Sequence, residues 1–171
     1  GITRAADGHI VIAGGDGNDS LTAGNGDDTI HGGAGDDYIN GSQGNDIILG
    51  GDGNDYIIDD ENDDFIRGDA GDDIVFAGKG AIDTVFGGEG NDELHGGDGV
   101  DELFGGADND KLYGEGDADI MYGEAGDDFL SGGETGDFVS GGRGNDILLG
   151  GGGDDQLTGD SKADAHLIGQ F

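Results

Sequence analysis

The chain has no cysteine, no proline and no tryptophan, and it has only 6 lysines and arginines against 40 aspartates and glutamates. Lack of cysteine excludes a disulfide framework and thiolate metal sites. The shortage of cations leaves a formal charge of −34, which repels nucleic acid and anionic lipid and recruits cations. No apolar run approaches the length of a membrane span. The opening GITRAADGHIVIA lacks the charged-then-apolar layout of a signal peptide. The first residue is Gly1 rather than methionine, so the chain is expected to be part of a longer parent. Low hydrophobicity with high net charge is also the composition of disordered chains.

What is abundant is glycine, 43 of 171 residues, and it is periodic. Nonapeptide frames begin at Gly14, Ala23, Gly32, Gly41, Gly50, Asp59, Gly68, Ala77, Gly87, Gly96, Gly105, Gly114, Gly123, Gly132, Gly141 and Gly150. The 16 repeats run from Gly14 to Thr158, and the one at Ala77 has a tenth residue near Ile82. Position 6 is aspartate in every repeat: Asp19, Asp28, Asp37, Asp46, Asp55, Asp64, Asp73, Asp83, Asp92, Asp101, Asp110, Asp119, Asp128, Asp137, Asp146 and Asp155. Position 8 is Leu, Ile, Val or Met in every repeat, from Leu21 to Leu157. Glycine dominates positions 1, 2 and 4. Two invariant columns over 16 copies exclude disorder as the whole description.

A period of nine is neither collagen's three nor a heptad, and the glycine density forbids long helices. Each unit reads as a turn-like hexapeptide followed by a three-residue strand, such as Tyr38-Ile39-Asn40. Such strands form a core only when many of them stack in parallel. Ten of the 11 Phe and Tyr residues lie inside the repeats, always at position 7 or 9 and never at position 8. Alternation along a strand puts 7 and 9 on the face opposite 8. Position 8 therefore points into a narrow interior between two thin sheets.

The nonapeptide Gly-Gly-x-Gly-x-Asp-x-U-x, with U a large aliphatic residue, resembles the repeats-in-toxin (RTX) family. The resemblance implies an all-β, right-handed parallel β-roll, a solenoid with two repeats per turn and about eight turns. Odd repeats would stack on odd and even on even. It further implies multiple Ca²⁺ ions held between adjacent loops by the position-6 aspartates and by backbone carbonyls. The clearest carbonyl donors are the loop glycines Gly15, Gly17, Gly33, Gly35, Gly51, Gly53, Gly88, Gly90, Gly142 and Gly144. The chemistry agrees: calcium takes six to eight oxygens at roughly 2.3–2.6 Å, and glycine lets carbonyls turn toward one point. Asparagine or aspartate at position 5, as at Asn18, Asp27, Asp36, Asn45 and Asn54, suits left-handed turns. Carboxylates stacked ~5 Å apart repel by ~3 kcal/mol at an effective dielectric of ~20. Folding is thus expected to need calcium, with up to about 14 ions in the gaps of two eight-loop rows.

The two rows differ. Odd repeats depart from glycine at positions 1, 2 and 4 only at Asp69, Asp108 and Glu124. Even repeats do so at Ala23, Ser42, Asp59, Asp60, Asn62, Ala77, Glu115, Asp117 and Thr135. The odd row is expected to be the cleaner calcium row. The glycine-free loop Asp59–Asp63 is expected to be the poorest.

Residues 1–13 read as an N-terminal cap holding a degenerate repeat, with Ile12 at position 8 and Ile10 in place of the aspartate. Residues 159–171 lose the frame and read as a C-terminal cap or truncated flank, although Asp164 still falls at position 6; Leu167, Ile168 and Phe171 would plug the open end. No secretion signal is assigned there.

The resemblance implies a module that stays unfolded in the calcium-poor cytosol and folds outside the cell, within a larger type I-secreted toxin, protease, lipase or adhesin. Its partners would be calcium, other domains of the parent and secretion machinery. The alternative is an adhesive cell-surface or surface-layer segment that calcium stiffens. Ice binding would place threonine at position 3, and no repeat has it there. Sixteen equivalent aspartates offer no unique catalytic pair, and His9, His31, His95 and His166 have no nucleophile at readable spacing, so no enzyme is expected.

Overall fold

The computed structural model describes residues 2–4, 8–160 and 164–167. Among these there is no helix; parallel strands stack into a β-solenoid of about eight turns. The ten-stranded sheet holds Ile2–Arg4, Ile10–Asp16 and then the strands of the even repeats, from Thr29–Ala34 to Gln156–Thr158. The nine-stranded sheet holds the odd repeats, from Ser20–Asn25 to Ile147–Gly151, and ends on Ala165–Leu167. Each position pairs with its equivalent two repeats on, as in Ile30 beside Ile48 and Ile48 beside Ile66. Two nonapeptides therefore make one coil.

The period-2 reading of the strands holds. The 14 position-8 side chains from Ile30 to Leu148 are fully buried. Leu21 and Leu157, at the two ends, are partly buried against them. The aliphatics interlock along the axis, because each coil contacts chiefly its two neighbours.

Most strands are longer than the three residues that the repeat suggests. They run through positions 1 to 3 of the following repeat, as in Tyr38–Gln43 and Ile47–Asp52. Identical turns stacked in parallel also pair their backbones. Where the next loop is irregular the strand stops short: Tyr56–Ile58 ends before Asp59, and Ile74–Phe76 ends before the ten-residue repeat. That repeat sheds its extra residue outward. Ala81 and Ile82 both donate their backbone N–H to one oxygen of Asp63, at 2.8 and 3.1 Å, and Ile82 is exposed.

The outer faces carry aromatic ladders. On one sheet Phe65, Phe86, Phe104, Tyr122 and Phe138 follow each other with centroids 4.7–5.7 Å apart. On the other, Tyr38, Tyr56, Phe76, His95, Tyr113 and Phe129 do so at 4.5–5.8 Å. His95, which looks like an ordinary polar outer residue in the sequence, is stacked between Phe76 and Tyr113 and bonds Glu115 at 2.8 Å. The apolar outer columns thus have partners in their own sheet.

At the N-terminus Ile2–Arg4 pairs antiparallel with Ile10–Asp16, and Ile10 and Ile12 are buried. At the other end the stacking continues one repeat, half a coil, past the unbroken run. Ala165, His166 and Leu167 lie in register with Ile147, Leu148 and Leu149. The expected plug of Ile168 and Phe171 lies outside the described residues, as does the side chain of Leu167.

Candidate metal centre

The loops of odd repeats stack along one edge of the solenoid and those of even repeats along the other. Along a strand, positions 6, 8 and 1 face inward, so the aspartate column shares the interior with the aliphatics. The 14 position-6 aspartates from Asp28 to Asp146 are buried, at 4% exposure or less. Their two oxygens have different surroundings.

Oδ1 belongs to the scaffold. It accepts the backbone N–H of the position-6 residue one coil earlier. On the odd edge the chain of bonds runs Asp19, Asp37, Asp55, Asp73, Asp92, Asp110, Asp128, Asp146, Asp164, at 2.7–3.2 Å. On the even edge it runs from Ile10 through Asp28, Asp46, Asp64, Asp83, Asp101, Asp119 and Asp137 to Asp155, at 2.7–3.1 Å. Ile10 has lost the carboxylate but keeps its N–H in the ladder, which is how the degenerate repeat joins the stack.

Oδ2 has no partner. In 15 of the 16 position-6 aspartates it is buried without a hydrogen bond; in Asp28 it accepts from Gly24 at 3.2 Å. A column of buried, unsatisfied carboxylate oxygens is costly unless a proton or a cation meets it. The space beside each is small. A Cβ added at Gly14 would lie 2.5 Å from Oδ2 of Asp19 and 2.6 Å from the carbonyl oxygen of Gly32, one coil on. Orphan carboxylate and backbone carbonyl thus converge on a cradle that position-1 glycine keeps open. This donor set, all oxygen and with fixed negative charge, fits calcium.

Burial, followed in most cases by neighbouring carboxylates, pushes these groups well above the usual range, against the backbone N–H bonds that lower them. Asp46, Asp55, Asp92, Asp128 and Asp137 are raised to about 6, Asp83 to about 7, and Asp73, Asp110 and Asp119 to about 8; burial raises Asp64 as well, with the Asp59, Asp83 and Asp46 carboxylates adding to it. With no cation beside them, several would hold protons near neutrality.

The glycines named from the sequence, Gly15, Gly17, Gly33, Gly35, Gly51, Gly53, Gly88, Gly90, Gly142 and Gly144, all have φ between 96° and 148°. The same left-handed turn is kept without glycine at Ser42, Asn62, Asp69, Asp108, Glu115, Asp117 and Glu124. Departures from glycine therefore damage the loops less than a count of them suggests.

Position 5 has a role that its residue type did not announce. None of its asparagines or aspartates uses the left-handed conformation that these residues tolerate. On the odd edge Asn18, Asp36, Asn54, Asp72, Asn91, Asn109, Asp127 and Asn145 form an outer ladder, each side chain accepting the backbone N–H of the next at 2.8–3.2 Å. On the even edge only Asp27 with Asn45, and Asp63 with Ala81 and Ile82, repeat this bond among the described residues.

The RTX calcium-binding nonapeptide repeat (4 copies) matches residues 13–48, 49–81, 79–112, 95–130 and 131–164. The chain belongs to that family, and the fold it adopts is a structural calcium-binding one. No curated protein matches the chain. Among the described residues no helix is long and apolar enough to cross a membrane.

Proposed function

We propose that this chain is a calcium-triggered folding module of a larger, type I-secreted protein, unfolded in the calcium-poor cytosol and ordered outside the cell. The single observation that carries this reading is the column of buried Oδ2 atoms without partners. At neutral pH the folded chain must supply them with cations or protons, and extracellular calcium is in the ~10⁻³ M range that extracellular modules use. The position-6 aspartates supply carboxylate oxygens and the loop backbones supply carbonyls, for up to about 14 ions. Binding energy is then folding energy. The uninterrupted Oδ1 ladder favours a second reading, a calcium-stiffened spacer on a cell surface, since it ties every coil into one rod of ~38 Å. Under both readings the module itself is not an enzyme.

The test is circular dichroism of the chelated chain at pH 7.5, titrated with calcium and separately with magnesium. A cooperative coil-to-β transition with calcium alone supports the proposal. A β spectrum that persists in excess chelator overturns it. Fusion to a cytosolic or an exported reporter then tests whether the folding occurs outside the cell, as both readings require.

A further inference from the structure

One coil breaks the pattern of the interior. Position 1 is glycine in 13 repeats and alanine in two; in the sixth repeat it is Asp59. Position 1 faces inward, onto the cradle described above. The Asp59 carboxylate fills that space for the coil before. A Cβ at Gly41 would meet Oδ2 of Asp59 and of Asp46 rather than a backbone carbonyl. Asp46, Asp59 and Asp64 are exposed by only 1%, 2% and 4%. One ligand oxygen from each lies within 4.8 Å of the others.

All three carboxylates are oriented in the same way. Oδ1 of Asp46 accepts from Asp28 at 2.7 Å, Oδ1 of Asp64 from Asp46 at 2.7 Å, and Oδ1 of Asp59 from Asp60 at 2.8 Å. Each Oδ2 is buried and unpartnered. No Lys, Arg or His among the described residues pairs with any of them; Arg67 pairs with Asp69 and Lys79 with Asp98. Three oxygens within 4.8 Å of one another lie no more than about 2.8 Å from a common point, a few tenths of an ångström from the calcium–oxygen distance of roughly 2.3–2.6 Å, so a small closure lets one ion touch all three.

We propose that Asp46, Asp59 and Asp64 make the cation site of this coil tighter for a hard divalent cation than the other repeating sites, so that it fills before them. This rests on the reading that the chain takes up calcium. Its warrant is charge count: a third buried carboxylate stands where other coils offer a neutral carbonyl, and calcium affinity rises with ligand charge and rigidity. The loop that looks poorest in the sequence, because it lacks glycine, is then the one that loads first.

The test is a calcium competition titration against a chromophoric chelator, on the wild-type chain, on Asp59→Gly, which restores the family's residue, and on Asp59→Asn, which keeps the shape. Wild type is expected to bind one calcium on the order of tenfold more tightly than the rest. Both variants should lose that step, keep the remaining steps and show the wild-type β spectrum at saturating calcium. Variants that titrate like wild type, or more tightly, overturn the triad while leaving the broader reading intact. A wild-type chain that takes up no calcium overturns both.

Discussion

The backbone N–H of Asp92 donates to Oδ1 of Asp110 at 2.9 Å, while Oδ2 of the same Asp110 is buried with no partner. One carboxylate thus holds the scaffold with one oxygen and faces the cradle with the other. The two roles are separable by substitution.

Asp110→Asn keeps an acceptor for Asp92 and removes the charge. Its calcium midpoint should rise severalfold, with a normal β spectrum once calcium saturates. Asp110→Ala also strands the Asp92 N–H, an unsatisfied buried donor worth about 1–3 kcal/mol. It should melt lower than Asp110→Asn in saturating calcium. Equal calcium midpoints for wild type and Asp110→Asn would contradict the assignment of Oδ2.

The raised carboxyls give the metal-free chain an inverted pH dependence. The folded form holds protons up to about pH 6–8, as at Asp55, Asp73 and Asp110, whereas an unfolded aspartate releases its proton near about 3.9. The folded state therefore binds more protons between these limits, and its stability falls as pH rises through them. In excess chelator, lowering the pH from 8 toward 5 should bring out β structure that is absent at pH 8. The calcium midpoint should rise over the same interval, since ligands must be deprotonated. A chelated chain whose spectrum ignores pH would be at odds with this.

In the core, Leu112 lies in register between Leu94 and Leu130 and is fully buried. Leu112→Ala should cost about 2–5 kcal/mol, whereas Met121→Leu should cost less than about 1.5 kcal/mol. Thermal melts in saturating calcium rank the two. The reverse order would mean that the interior is not packed as described.

On the outer face, Phe104 stacks on Phe86 at 4.7 Å and on Tyr122 at 5.2 Å. Phe104→Ser removes two aromatic contacts, each worth about 0.5–1.5 kcal/mol. It should lower the melting temperature without changing the number of calcium ions bound. A change in stoichiometry would tie the ladder to the loops.

The position-8 column and the placement of the aromatics suffice to read two parallel sheets and the inward aliphatics from the sequence. Both follow from a period that the chain states in 16 copies. What the sequence hides is whatever depends on the residue one coil above or below rather than on the residue itself. The division of labour between Oδ1 and Oδ2 is one case, since both belong to one aspartate. The position-5 ladder is another: Asn18 resembles any turn asparagine until Asp36 is set above it. Asp59 looks like a damaged glycine until the coil before places Asp46 beside it. The segment after Thr158 keeps a repeat's glycine only at position 1, Gly159, and lacks it at positions 2 and 4, yet Asp164 and Ala165–Leu167 stack as a repeat. The backbone ladder requires only an acceptor and a strand.

A coil made of two unlike halves gives the chain a parity. Adding or removing a pair of repeats changes the height by one step and leaves every downstream loop on its own edge. Adding or removing a single repeat moves every downstream loop to the opposite edge, and the outer asparagine ladder would break at that point and resume on the other side. Length in this protein is thus counted in pairs, and one nonapeptide is the smallest change that reverses which edge faces which way.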